Sequence, residues 1–183
     1  MTWTLAGIAL TLILIFSAWY LSATAGRLDR LNKRVESSQH SLETQLLRRA
    51  SIATELAASG VLDPVSSALL ADAAHAVRVA PQDRSPDRGL AESNLTAVLA
   101  ALFNDGADVT AMRALPGGEA LAGDLDAATR RVAMSHRFLN DGVRANRDLR
   151  GQRLVGIFRL EGTSVTPETF EFDDSPPAGF GIR

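Results

Sequence analysis

A long apolar run near the N-terminus dominates the pattern of hydrophobic and polar positions. Residues 3–21 form a run of 19 positions without a charged residue, and an α-helix needs about 20 apolar residues to cross the ~30 Å hydrocarbon core of a bilayer. Trp3, Trp19 and Tyr20 lie near its ends, where amphipathic rings favour the headgroup level. We therefore predict a transmembrane helix over residues 3–21 within a membrane anchor over residues 1–26. The lipid bilayer is its expected partner, with these aromatic side chains at the membrane interface.

Two other interpretations of this run stay open. Ala23-Thr24-Ala25 fits the small-x-small site of a cleaved signal peptide, but no Lys or Arg precedes the run and the run is longer than usual for a signal. A buried core helix is the second alternative, although a domain of this size rarely needs a helix that is apolar on every face. The pattern favours an uncleaved anchor.

The charges that flank the run predict its orientation. Arg27, Arg30, Lys33 and Arg34 follow it, and no basic residue precedes it. Lys and Arg concentrate on the cytoplasmic side of spanning helices. We therefore predict a single-pass protein of the cell membrane, with the N-terminus outside and the remainder in the cytoplasm.

Beyond the anchor, apolar residues recur every three or four positions, which is the spacing of amphipathic helices. Gly60 marks the end of the first of these helices. Asp63-Pro64 is typical of a helix start, because the carboxylate accepts backbone amides and proline is tolerated at the first position. Asp124 is predicted to cap the last helix. The predicted helices cover residues 27–59, 64–80, 90–104 and 125–150, with a loop or broken helix over residues 107–123.

These elements predict an all-α protein. The fold expected is one N-terminal transmembrane helix followed by an elongated antiparallel four-helix bundle with two long and two shorter helices. The bundle domain would cover residues 27–160. Residues 161–183 are predicted to form a short C-terminal turn at Thr166-Pro167 and then a flexible tail, because their end is acidic and rich in Pro and Gly.

Composition excludes several classes of function. The chain has 19 basic and 21 acidic residues, a net charge of -2, so no global field attracts nucleic acid. The absence of Cys removes disulfides, thiolate metal sites and cysteine nucleophiles. The three histidines, His40, His75 and His136, fall on different predicted helices. Phosphate-binding loops, dinucleotide fingerprints and nucleophile elbows are absent from the sequence. We predict no enzyme activity, no catalytic residue, no cofactor, no metal and no nucleic-acid partner.

Three polar residues interrupt the apolar stripes of the long helices and form a predicted polar core layer: Arg49, His136 and Asn140. An ionised group at such a position must find a partner or solvent. One interpretation is a structural layer between the first and last bundle helices. The other is a ligand-binding or proton-relay site.

A basic stripe follows on the last helix. Arg144, Arg147, Arg150 and Arg153 are spaced three apart, and in an up-down bundle this end returns toward the bilayer. Anionic headgroups attract nearby arginines by about 1 kcal/mol each. The stripe is therefore a candidate membrane-interface surface. Alternatively, it stays in water and complements the helix dipole.

The order of these elements and two helical motifs resemble the LemA family. Leu42–Arg49 reads LETQLLRR, and Ser135–Arg144 reads SHRFLNDGVR. Three residues match the family's late motif, Ala-Arg-Arg-x-Tyr-Asn with a following Val: Arg137, Asn140 and Val143. His136 and Leu139 replace an Arg and the Tyr of this motif, and Arg147 stands where the family has a second Asn seven residues on. The resemblance implies a divergent member of a membrane-anchored, α-helical family that has no settled biochemical activity.

The expected function is a structural, scaffolding or protein-interaction role at the cytoplasmic membrane. Its partners would be membrane or cytoplasmic proteins, or further copies of the chain in a homo-oligomer. The alternative is a regulatory ligand-binding protein or an enzyme that uses the polar layer.

Overall fold

The computed structural model describes residues 2–81, 84–150 and 168–181. Within them the chain forms five α-helices and a short 3-10 helix, without a β-strand. The α-helices are α1 (Thr2–Ala58), α2 (Pro64–Val79), α3 (Pro86–Phe103), α4 (Gly106–Arg113) and α5 (Gly118–Arg150), and the 3-10 helix covers Ala178–Gly181. The predicted all-α class is confirmed. The prediction of four bundle helices omitted α4.

The first helix is continuous from the apolar run into the amphipathic region. No boundary occurs near residue 26, where the sequence analysis separated anchor from bundle. The linking residues contain no proline, and the Thr24 hydroxyl donates to the carbonyl of Tyr20 at 2.9 Å, a bond compatible with a continuing helix. Gly26 alone is too weak a helix breaker to end the element.

The apolar part of α1 is exposed. Leu12, Phe16 and Trp19 expose 61%, 64% and 65% of their surfaces. One helix among the described residues is long and apolar enough to cross a membrane, over Leu10–Ala58, and only 7% of its most apolar window is buried. A core helix would be mostly buried, so the core-helix alternative does not fit the described part of the chain.

The chain divides into two compact units, and α1 and α5 each contribute residues to both. One contains Met1–Ser37 and Asp141–Glu168, and the other contains Ser38–Asn140 and Thr169–Arg183. In the first unit, Val35, Val143 and Leu149 are buried, and Gly142 lies against α1 so closely that an added Cβ would be 3.4 Å from the Val35 side chain. Asn146 donates to Asn32 at 2.7 Å.

The second unit has the larger core. Buried apolar residues from all five helices meet there, with Leu56, Leu70, Leu99 and Leu125 at or below 1% exposure. The predicted start at Asp63-Pro64 is confirmed, since the Asp63 carboxylate accepts from the amides of Val65 and Ser66. These bonds hold the pKa of Asp63 below its usual value, with the Ser66 bonds contributing most.

Two helices begin earlier than predicted. Ser85 caps α3 and Pro86 opens it, four residues before the predicted start at 90. Helix α5 begins at Gly118, so Asp124 lies inside it and is not its cap. Residues 107–123 take the form of a broken helix, because Gly117 adopts a left-handed conformation (φ +78°) between α4 and α5.

The C-terminal segment, residues 168–181, packs within the second unit from Thr169 onward, where the sequence predicted a flexible tail. Phe170 and Phe180 are 4% and 2% exposed. The Phe180 ring lies 5.6 Å from that of Phe103, and the Ala178 amide donates to Asn104 at 3.0 Å. The aromatic residues scattered among the Pro, Gly and acidic positions supply the apolar surface that a disordered tail would lack. The predicted turn at Thr166-Pro167 lies outside the described residues.

Candidate functional site

Arg49 lies on the buried face of α1, in line with Leu42, Leu46 and Leu56. Its side chain is fully buried. One guanidinium nitrogen, Nη2, donates to Glu92 Oε2 at 2.8 Å, and the other, Nη1, donates to the Thr96 hydroxyl at 3.1 Å. The charge is therefore paired by residues of α3.

Glu92 is the centre of a buried charge network that we call the Arg49 cluster: Arg49, Glu92, Arg88 and Glu43. Arg88 Nη2 lies 3.0 Å from Glu92 Oε1 and 3.1 Å from Glu43 Oε1. Arg88 Nη1 donates to the carbonyl of Val77, at the end of α2. The Glu43 side chain is 30% exposed and is the only solvent-reaching member of the cluster. The cluster is formally neutral and ties α1, α2 and α3 together.

Burial and charge act in opposite directions on Glu92. Burial raises the pKa of Glu92 above its ordinary value, while the positive charges of Arg49 and Arg88 oppose that rise. Burial is the larger effect, so Coulomb attraction and hydrogen bonds offset only part of the desolvation cost of Glu92. Such a network favours a structural role, because no solute reaches Arg49 or Glu92 without opening the core.

The second group, which we call the His136 cluster, joins α5 to the C-terminal segment: His136, Asn140, Phe170, Phe172 and Asp174. His136 Nδ1 lies 2.9 Å from the Asp174 carboxylate, and Nε2 lies 2.5 Å from the carbonyl oxygen of Phe170. Asn140 Nδ2 is 3.0 Å from the same Nε2, and Asn140 Oδ1 accepts from the Phe170 amide at 3.3 Å. The Phe172 ring stacks on the imidazole at 4.3 Å.

The geometry of this second cluster indicates a clamp on the C-terminal segment. Both ring nitrogens of His136 lie within hydrogen-bond distance of oxygen atoms of the segment, Nδ1 of the Asp174 carboxylate and Nε2 of the Phe170 carbonyl. Asn140 holds the main chain of Phe170 from both its amide and its carbonyl side. His136 and Asn140 contact each other one turn apart on α5, and their other partners in the cluster come from the segment.

The two clusters do not form the single polar layer that was predicted. Arg49 pairs with α3, whereas His136 and Asn140 pair with the C-terminal segment. The segment links them, since the Thr96 hydroxyl that accepts from Arg49 also donates to the carbonyl of Asp173 at 2.7 Å. Backbone and side-chain hydrogen bonds from Ser175 hold the pKa of Asp173 below its usual value.

Sequence reasoning missed Glu92, Arg88 and Asp174. A signal existed for the first two, because Arg88, Glu92, Leu95 and Leu99 follow the three-and-four spacing of one helix face. Opposite charges four apart on one helix face are close enough to pair, and a pair can be buried where a single charge cannot. Asp174 had no local signal, because it is 38 residues from His136.

The predicted membrane-interface residues divide into three groups. Trp19 and Tyr20 are exposed, at 65% and 39%, and Arg144 and Arg147 are exposed on α5. Arg150 is the exception to the predicted stripe. It is 8% exposed and donates to Asn146 at 2.8 Å and Asn32 at 3.4 Å. The side chain of Trp3 and the whole of Arg153 lie outside the described residues.

The inward position of Arg150 follows from helix geometry. Residues three apart are separated by about 300°, so each step of the stripe drifts by about 60° around the helix. Two steps from Arg144 bring position 150 to the face that contacts α1. The prediction that Arg150 belongs to an exposed, slowly drifting basic stripe is therefore wrong.

Metal binding has no evident location in the described parts of the chain. Within residues 2–81, 84–150 and 168–181, His, Asp and Glu residues do not gather into a group of three or more that could hold a metal ion. The absence of a metal stays a prediction.

Comparison with known proteins gives no identity. Neither protein families, curated proteins nor solved structures match this chain. At the level that the described residues establish, the protein is all-helical and has one helix that is long and apolar enough to cross a membrane.

Proposed function

We propose that the protein is a membrane-anchored helical-bundle protein with a structural, scaffolding or protein-interaction role at the cytoplasmic membrane. The observation that supports it best is the continuity of α1. Its N-terminal part exposes a belt of apolar side chains, with Ile15 and Phe16 at 60% and 64% exposure, and the same helix enters the packed second unit without a break. Exposed apolar surface of this extent is costly in water and is neutral in lipid.

The burial and pairing of the polar residues favour a structural role over a ligand-binding or enzymatic one. A ligand-binding or enzymatic protein would present Arg49, His136 and Asn140 to a solvent-reachable pocket. Instead each is under 10% exposed and has partners within the chain. A scaffold needs only its outer surface, and Met134 and Phe138 are each 57% exposed one turn apart on α5.

We also propose that the second unit is an antiparallel four-helix bundle to which α4 is an addition. Support comes from its core, which draws buried residues from α1, α2, α3 and α5 alike. Membership of the LemA family as a divergent member remains a proposal on the three matching residues of the late motif. Because that family has no settled activity, membership would add no reaction.

The proposed topology places the N-terminus outside and the larger unit in the cytoplasm. The chain has no cysteine, so single Thr2→Cys and Ser41→Cys variants each report one position without background. In intact cells, a membrane-impermeant maleimide should label Thr2→Cys and leave Ser41→Cys unlabelled until the cells are opened. The reverse pattern contradicts the orientation, and labelling of both contradicts a sealed cytoplasmic location.

The functional class is tested by affinity purification of the full tagged chain from membranes in mild detergent. A reproducible set of protein partners supports the scaffolding role, whereas a co-purifying small molecule and no partner would contradict it. The matched control has Leu12→Asp and Phe16→Asp, which remove insertion while leaving the packed unit intact. Partners that depend on the membrane should be absent from the control.

A further inference from the structure

An arginine-lined groove lies beside the apolar part of α1, in the first unit. Arg27, Arg30 and Arg34 of α1 line one side, and Ala145, Asp148 and Leu149 of α5 line the other. The groove has a volume of about 450 Å³, large enough for a small headgroup. Leu31 and Leu149 supply an apolar floor between the charges.

The charge of this groove is unbalanced. Its three arginines are exposed, and among the described residues they form no ion pair or side-chain hydrogen bond. Asp148 is the one acid in the lining, so the net formal charge is +2 from three positive and one negative residue. Asp148 is itself exposed. Arginine forks match phosphate oxygens in pairs, and a concave surface with several of them favours a phosphate group.

The position along α1 matches the depth of lipid headgroups. Arg27 is six residues beyond Leu21, which corresponds to about 9 Å of helix rise past the end of the apolar run. Side chains on a helix tilt toward its N-terminus, here toward the bilayer. The structure shows this for Arg30, whose Nη1 lies 3.8 Å from where a Cβ on Gly26 would be. The guanidinium groups therefore reach back toward the headgroup layer, where long cationic side chains settle.

We propose that this groove binds the phosphate headgroup of an anionic phospholipid. The arginines contact the phosphate oxygens, Leu31 and Leu149 contact the glycerol region, and the acyl chains lie along the exposed apolar face of α1. The proposal rests on the proposed membrane anchoring. It adds a class of ligand, which the anchoring alone does not specify, because an apolar helix inserts into neutral lipid equally well.

The test uses the full chain reconstituted in vesicles of mixed phosphatidylglycerol and phosphatidylcholine, in which one or the other lipid is brominated. Both tryptophans lie in the apolar run. The quenching of their fluorescence by each brominated lipid therefore measures which lipid surrounds α1. We expect the anionic lipid to be preferred by about fivefold or more, the factor that one arginine–headgroup contact supplies. In the triple variant R27Q/R30Q/R34Q, the preference for the anionic lipid should fall to about twofold or less.

Two further variants sharpen the result. R48Q/R131Q/R137Q removes the same charge at exposed positions outside the groove and should retain the preference. Asp148→Asn removes the acid from the groove and should increase the preference for the anionic lipid. Equal quenching by the two lipids in the unmodified chain, equal loss in both triple variants, or no rise with Asp148→Asn would overturn the proposal.

The source of the phosphate is tested with excess inorganic phosphate at constant ionic strength. The preference should persist if a membrane lipid is the ligand, and its loss would overturn the lipid assignment in favour of a free phosphate. Failure of the anchoring itself looks different, because a chain that does not insert is quenched by neither brominated lipid.

Discussion

Removing Arg49 from its cluster tests the structural role of the buried charges. In Arg49→Met, the methionine fills much of the arginine's volume, and Glu92 keeps only Arg88 as a charged partner. Breaking a buried pair typically costs about 3–5 kcal/mol, and the remaining Arg88 places the expected loss near 3 kcal/mol. Against a total stability of about 5–15 kcal/mol, this is a large fraction.

The loss should depend on pH, with a sign that follows from Glu92. Burial raises the pKa of Glu92 in the folded chain, and Arg49 opposes this rise, so the variant raises the pKa further. Because the pKa is raised, folding favours the protonated form of Glu92. The stability that Glu92 contributes is therefore fully present below its ordinary pKa of 4.5 and is lost as the pH rises through the pKa of the folded chain. The variant should therefore lose most stability at neutral pH and recover part of it in acid.

Replacing both charges should restore stability. R49M/E92Q removes the buried carboxylate of the cluster, and Arg88 retains Glu43 and the Val77 carbonyl as partners. We expect the double variant to be more stable at neutral pH than Arg49→Met by about 2 kcal/mol, with a weaker pH dependence. The control, Arg144→Met, removes an exposed arginine that lies 3.9 Å from Asp141 and should change stability by about 0.5 kcal/mol or less.

The measurement is urea unfolding of the full chain in detergent, followed by far-ultraviolet circular dichroism at neutral and acid pH. Both tryptophans lie in the apolar run, so their fluorescence does not report on the packed unit. The reasoning is refuted if Arg49→Met matches the control, if the double variant is as unstable as the single one, or if acid deepens the loss.

Three other outcomes follow from the packing. Gly89→Ala should destabilise the fold by about 1–3 kcal/mol in the same unfolding assay, because its Cβ would be 2.7 Å from a carbonyl oxygen of the C-terminal segment. The control, Gly123→Ala, lies in an open helical position and should be neutral or stabilising by up to about 1 kcal/mol. Equal effects of Gly89→Ala and Gly123→Ala would contradict the close contact between Gly89 and the C-terminal segment. Phe180→Ala should cost about 3–5 kcal/mol, and a loss below about 1 kcal/mol would mean that this 2%-exposed ring is not part of the core. His136→Ala should release the C-terminal segment to limited proteolysis, as should Asp174→Ala to a smaller degree, and unchanged cleavage in both would contradict the clamp.

Local signals predicted the helical class and most helix positions. Asp63-Pro64 was identified as a helix start because cap and proline stand next to each other. Ser85-Pro86 has the same chemistry and starts α3, but two prolines and alternating charges in the surrounding stretch favoured a loop. The apolar run was clear because its length and composition depend on no other part of the chain. Local chemistry thus sufficed where neighbouring residues decide the structure.

Long-range contacts set the limit of sequence-based prediction. The pairing of His136 with Asp174 and the burial of Phe180 depend on where residues 168–181 return to the helices, and no periodic pattern encodes this in a segment rich in Pro and Gly. Arg49 was expected to need a partner or solvent, and spacing could not show that α3 would supply a partner. Arg150 was placed on an exposed drifting stripe, but spacing alone could not show that the drift brings it to the face that contacts α1.

The central claim is that α1 holds the chain in a bilayer, and alkaline extraction of membranes from cells expressing the full chain tests it most directly. The account predicts that the unmodified chain stays in the membrane pellet at its full length of 183 residues, while the control with Leu12→Asp and Phe16→Asp moves to the supernatant. Release of the unmodified chain, or recovery of a soluble form that begins after Ala25, would contradict it.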